Sequence, residues 1–221
     1  MRIKLFCLTS MLTLILLSGC AAGKVRVSSD QTPPFEPNYL DEIAEVRFAT
    51  ETITYKVVGG NGVLDIIEPR NITREAVAKW QIPLENHIDL QEVSPEKEAQ
   101  IVVEFFRVGE YGNGVLGLTR LNVENGVIIS SKVMVARNLT IGQQYKVAQH
   151  EFGHALGIRG HSSDQRDLMW ASSNKFTLYT VMTLRDTNTI RSIYYMNPVV
   201  GKSQLLSTEV CRVEGFEESL K

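Results

Sequence analysis

Apolar and polar positions alternate along this chain, then fall into helical step, then alternate again. Residues 45–58 are rich in Val, Thr, Ile, Phe and Tyr in rough alternation, which predicts a strand. Gly59, Gly60, Asn61 and Gly62 break it. Within 71–81, Ala76, Val77 and Trp80 recur at three-to-four spacing, which predicts a helix capped by Asn71 or Thr73. Strands are predicted over 88–93 and 100–106, and two more over 115–123 and 127–135. Asn125-Gly126 between the last two is a hairpin signal. A helix is predicted over 140–156, with Thr140 as its cap and Tyr145, Val147, Ala148, Phe152, Ala155 and Leu156 for packing. The last predicted helix covers 184–195. Helices among several strands predict a mixed α/β, or α+β, domain.

The first twenty residues follow a different pattern. Arg2 and Lys4 precede an apolar run over 5–17, which is shorter than the roughly 20 residues that span a bilayer. A positive start, a short apolar run and small residues next make a signal-peptide pattern. The run ends Leu17-Ser18-Gly19-Cys20, which resembles the lipobox of bacterial lipoproteins. The resemblance implies a signal peptide over 1–19, cleavage before Cys20 and a lipid on its sulfur. The alternative is an ordinary secretory signal. Residues 20–40 hold Pro33, Pro34 and Pro37 and are expected to form a lipidated, flexible tether. The expected location is the bacterial cell envelope, outside the cytoplasm. Ala21 after the Cys favours the outer membrane in a Gram-negative cell.

Composition narrows the function. The 221 residues carry 23 Lys+Arg against 25 Asp+Glu, a net charge of −2, so no nucleic-acid partner is expected. Three Cys are too few for a disulfide framework, and Cys211 is expected as an unpaired thiol. A monomer is expected. The tail over 198–221 carries Glu214, Phe216, Glu217 and Glu218 and either packs on the domain or extends from it.

Chemistry concentrates in one segment, His-Glu-Phe-Gly-His-Ala-Leu-Gly-Ile-Arg-Gly-His over 150–161. On a helix, His150 and His154 are four apart, so both rings face one side. Two imidazoles so placed can grip one Zn²⁺ at about 2.0–2.1 Å. Glu151 lies about 100° round the helix and can lean over the metal without binding it. Gly157 lets the chain turn out of the helix, and His161 can return as third ligand. Three protein ligands leave a fourth position open for water, which marks a catalytic zinc site. Three of the four His in the chain lie in this segment. The fourth, His87, is expected at the surface or as a cap.

This segment resembles the zinc signature of the metzincin metalloproteases. Met169, eight residues after His161, resembles the Met-turn of that family, and the Ser162 and Leu168-Met169 context resembles the matrixin branch. Weaker resemblances extend over 76–80, 100–105 and 183–195. The implied domain spans 41–197. The implied fold is a twisted, mostly parallel sheet with an antiparallel edge strand, an active-site helix and a C-terminal helix. Departures are also present. No inhibitory Cys lies between Cys20 and the domain, no His remains for a structural zinc, and Ala171 replaces the usual Pro. Calcium sites are not matched. Trp170 reads equally as a pocket wall or as packing.

The resemblance implies one catalytic zinc on His150, His154 and His161, with Glu151 as general base and Met169 as an apolar floor. A protein or peptide substrate would pair with an edge strand near 115–122, and residues 171–182 would line the pocket beyond the cut bond. Two other functions fit the same segment. One is a zinc-binding lipoprotein without turnover, and the other is a metallohydrolase on cell-wall peptides.

Overall fold

A strand needs alternating burial to hold one face against a core, and Thr52–Val58 shows it with Ile53, Tyr55 and Val57 buried in turn. The computed structural model describes residues 34–59, 64–85, 87–107, 109–112, 114–171 and 181–195. The expected signal peptide, Cys20, most of the tether, the tail over 198–221 and Cys211 fall outside the described residues. So does most of the stretch over 171–182.

In chain order the elements are β1 (Ala44–Glu45), β2 (Thr52–Val58), α1 (Leu64–Leu84), β3 (Asp89–Glu92) and β4 (Ile101–Phe106). There follow β5 (Gly117–Glu124), β6 (Val127–Ala136), α2 (Ile141–Ala155), β7 (Ile158–Arg159) and α3 (Leu184–Tyr195). The main sheet runs β3-β2-β4-β6-β5. Its pairs are parallel except the last, where β5 lies antiparallel to β6 at the edge. This is the expected α+β arrangement, with a mostly parallel sheet and an antiparallel edge strand. The β5–β6 turn has Asn125 at φ 52° and Gly126 at φ 79°, the two positive values that a tight hairpin turn needs.

One face of the sheet packs on α1 and α2. Ile53, Val57, Ile101, Val103 and Val133 meet Ile72, Ala76, Trp80, Val147 and Phe152 in the main core. A smaller cluster forms around Phe106, Val115, Leu118, Met134 and Ala136. Trp80 is fully buried, and its Nε1–H donates to the Gln149 carbonyl at 2.7 Å, so α1 is fastened to α2 beside His150. A buried indole of about 200 Å² is worth roughly 5 kcal/mol as an upper figure. Among the described residues no helix is long and apolar enough to cross a membrane.

Two elements differ from expectation. The single strand over 45–58 is divided. Ala44 and Glu45 pair with β7, whereas β2 starts only at Thr52. Between them Val46 and Phe48 are buried, the Val46 N–H donates to the Gly157 carbonyl, and the Arg47 carbonyl accepts from Ile128. Each half therefore alternates on its own phase and serves different partners. The helix expected over 71–81 extends over Leu64–Leu84, with Pro69 and Pro83 inside it. Its buried stripe Ile72, Ala76, Trp80 and Leu84 is the apolar repeat already visible in the sequence, prolonged by one turn.

Candidate metal centre

Helix α2 starts with a reciprocal cap. The Thr140 hydroxyl accepts from the Gln143 N–H, and the Gln143 side chain accepts from the Thr140 N–H at 3.0 Å. From this fixed start, His150 and His154 fall on one face and both are buried. After Leu156 the chain turns at Gly157, whose φ is 113°. A Cβ there would sit 1.9 Å from the Val46 carbonyl oxygen, so only glycine fits. The two-residue β7, held by β1, then aims the chain at His161. Gly157→Ala is expected to cost about 2–4 kcal/mol and to weaken metal binding. Urea unfolding checks it, and a change below about 0.5 kcal/mol would show that Val46 yields freely.

The structure brings the three imidazoles together. Their ring centroids lie 4.8 Å (His150–His154), 5.3 Å (His150–His161) and 5.0 Å (His154–His161) apart. One ligating nitrogen from each falls within 4.8 Å of the others, the one such group of His, Cys or acidic residues found among the described residues. The His150 Nδ1 lies 2.8 Å from the Leu168 carbonyl, and the His154 Nδ1 lies 2.7 Å from the Ile158 carbonyl. A carbonyl only accepts, so both Nδ1 atoms carry the proton and both Nε2 atoms present lone pairs. Burial pushes the His150 pKa down to about 3, helped by neighbouring His161 and opposed by the Leu168 carbonyl. Burial likewise lowers His154 and His161, so the rings stay neutral at physiological pH.

This geometry tests the fit of a metal. The Nε2 atoms of His150 and His154 stand 3.1 Å apart. Two neutral acceptors at that distance repel one another, and a cation between them reverses the sign. Two nitrogens on a tetrahedral ion at about 2.0–2.1 Å are separated by roughly 3.3 Å, close to what is seen. The set could hold a metal ion.

Glu151 is buried and faces β5. Its Oε2 accepts from the Thr119 hydroxyl at 2.7 Å, and its Oε1 is buried with no hydrogen-bond partner among the described residues. Burial raises its pKa to about 8, against the Thr119 hydrogen bond. Gly117 is what admits the carboxylate, because a Cβ there would lie 2.5 Å from Oε1 and 2.6 Å from Val147. Met169 is fully buried against the same helix. A Cβ on Gly153 would come within 2.5 Å of its sulfur and 2.6 Å of Trp80.

The Met169 segment is pinned from α3. The Asp186 carboxylate accepts from the N–H groups of Leu168 (2.9 Å), Met169 (3.3 Å) and Thr183 (2.8 Å), and from the Tyr39 hydroxyl (2.9 Å). Asp167 accepts from Ser162 (2.5 Å), Thr183 (2.6 Å) and Arg185 (2.6 Å). Arg185 also reaches Glu42 at 2.8 Å, and Glu42 accepts from the Ser163 N–H at 2.6 Å. Thus the loop carrying His161 is tied at both ends. Trp170 borders a hollow with Ser163, Asp164, Gln165 and Arg185. His87 is exposed and lies on the Tyr195 ring, 3.7 Å between centroids, away from the triad.

Sequence reasoning missed Thr119, Asp186, Gly117 and Gly153. Asp186 left a trace, since Thr183 and Asp186 three apart read as a capping box, and they do exchange hydrogen bonds. Thr119 left none, because a threonine in a predicted strand needs no further reason.

Comparison with known proteins agrees with this geometry. The family model described as Matrixin matches residues 132–195, from β6 through α3. Metalloendoproteinase 1-MMP of Arabidopsis thaliana is 22% identical to the chain over 221 residues, covering 91% of this chain. The chain spans 59% of that relative's length.

Proposed function

From a chain that is a matrixin-like metzincin over its metal-site segment, we propose a zinc endopeptidase with Glu151 as general base. One observation carries the reading: two neutral imidazoles direct Nε2 lone pairs at a common point beside a buried carboxylate.

His150, His154 and His161 would hold the zinc. When bound, the ion supplies Lewis acidity and a lowered pKa for the water that attacks the peptide carbonyl. The chain itself does the rest. Leu168 and Ile158 carbonyls fix the two helical imidazoles in one tautomer and orientation. Thr119 holds one carboxylate oxygen of Glu151, leaving Oε1 to take the proton of the attacking water. Glu151 then delivers that proton to the leaving amine nitrogen. The carboxylate must be ionised for the first transfer. Burial opposes this with a pKa of about 8, whereas a dication nearby favours it. The open side of β5 would receive the substrate backbone as an added strand.

The anchor reading rests on sequence alone. A lipid on Cys20 would place the domain at the cell envelope, and Cys20→Ser is expected to release the protein from the membrane fraction.

The test is zinc stoichiometry by elemental analysis on the full-length protein in detergent, beside hydrolysis of a mixed quenched-peptide library. One zinc per chain and cleavage that disappears in Glu151→Gln support the reading. A folded, metal-replete protein without zinc would sink it. Chelation is further expected to lower Tm by several degrees, and zinc to restore it, because the metal binds the folded site. An unchanged Tm would contradict that.

A further inference from the structure

A cavity lies between α1, α2 and α3 and encloses about 470 Å³, within the usual range of ligand pockets. Lys79, Ile82 and Pro83 line it from α1, Lys146 from α2 and Thr187 from α3. Ile82 and Val181 on its wall are 66% and 67% exposed, so apolar surface there faces water. Two lysines line it, and no acid among the described residues does.

Lys146 is the unusual member. It is 7% exposed, and its Nζ is buried with no hydrogen-bond partner among the described residues. An ammonium carries three donors, and leaving them unpaired away from water is costly. An occupant that fits this cavity therefore sets carboxylates beside an apolar group.

One such segment belongs to this chain. Residues 213–220 read Val-Glu-Gly-Phe-Glu-Glu-Ser-Leu, with Glu214, Glu217 and Glu218 around Phe216 and no basic residue. The chain also leaves the folded domain beside the cavity. Thr187, on the lining, stands eight residues before Tyr195, where the described chain ends, about 12 Å along α3. The Tyr195 hydroxyl lies 2.8 Å from the Glu85 carbonyl and 3.3 Å from that of Pro83, itself on the lining. Twenty residues, 196–215, join Tyr195 to Phe216. Extended, they reach about 65 Å, far more than the return requires. A tether of that length holds the segment at roughly millimolar effective concentration, so even weak contacts keep it seated.

We infer, independently of the peptidase reading, that the C-terminal segment 213–220 docks in this cavity, with Phe216 on Ile82 and Val181 and its flanking glutamates on Lys146 and Lys79. Docked there, it joins three helices that otherwise leave a gap, and it gives the buried ammonium its counter-charge.

The test uses the full-length, zinc-loaded protein in detergent, with a photo-cross-linking benzophenone amino acid in place of Phe216. Isotopically light and heavy chains are mixed, irradiated and digested, and cross-links are mapped by mass spectrometry. Cross-links are expected within one chain, onto residues 79–83 and 142–149. Glu214→Lys, Glu217→Lys and Glu218→Lys together should lower their yield by about tenfold. These changes lie outside the folded domain, so its stability is not at stake. Lys146→Leu should lower the yield by a similar factor, while Lys146→Arg keeps it. Cross-links between light and heavy chains would overturn the inference in favour of a second copy as occupant. Cross-links away from the cavity, or a yield indifferent to the charge reversal, would overturn it outright.

Discussion

Glu151→Gln is expected to lower kcat/KM on peptides by about 100- to 10,000-fold, with zinc content unchanged. The amide is nearly isosteric and can still accept from Thr119, but it cannot take a proton from water. The metal-free proteins should differ too, and in a direction set by burial. Folded Glu151 has a pKa of about 8 against an ordinary 4.5, so between those values the folded chain holds a proton that the unfolded chain has released. Stability therefore falls as pH rises through that window. His150 acts oppositely. Its pKa is lowered from 6.5 to about 3, so unfolded chain binds the extra proton there and stability rises with pH up to about 6.5. His154 and His161 shift in the same direction as His150. Metal-free wild type should gain stability up to about pH 6.5, then lose up to about 2 kcal/mol toward pH 8. Glu151→Gln should show a steeper gain below pH 6.5, where Glu151 no longer offsets the histidines, and should lack the loss above it. Urea unfolding of the chelated proteins from pH 5 to 8.5 reads both limbs. Matching slopes above pH 6.5 would disprove the assignment to Glu151.

Asp186→Ala should be the most destabilising of the single substitutions considered, by about 3–5 kcal/mol. The carboxylate is buried and accepts from three backbone N–H groups and the Tyr39 hydroxyl, all of which lose their acceptor together. Burial raises the pKa of Asp186, but its many donors oppose that, so its role is that of an acceptor for the turn. Asp186→Asn should also destabilise, because its amide nitrogen must face donors on one side or the other. The damage should reach the metal. The Leu168 N–H that Asp186 holds belongs to the residue whose carbonyl orients His150. Loss of that support is expected to weaken zinc binding by about 10- to 100-fold, measured by competition with a chelator. A variant that unfolds at the wild-type urea midpoint would rule out this role.

Much of the architecture was legible because its causes are local. Helices α2 and α3 and strands β3 to β6 were expected within a few residues of where they lie. Each carries its own periodicity, and the Asn125-Gly126 turn carries its own backbone preference. The reading failed where two alternating runs were taken as one strand. Val46 and Phe48 are buried, 49–52 are exposed, and Ile53, Tyr55 and Val57 are buried on the opposite phase, while Ala44 and Glu45 pair with β7 and β2 pairs with β3 and β4.

The metal site divides along the same line. By itself the sequence determined that His150 and His154 share one helix face, that Gly157 ends the helix and that His161 follows within reach. Helical spacing and glycine's backbone freedom act over a few residues and need no distant partner. Only the tertiary structure decided what holds Glu151, through Thr119 from a strand 32 residues earlier, and what holds the Met169 turn, through Asp186 from α3. It also decided that Lys146 is buried beside a cavity rather than exposed on a helix surface. Those contacts depend on strand register and on the docking of α1, α2 and α3. They join residues far apart in the chain, and no local pattern encodes them.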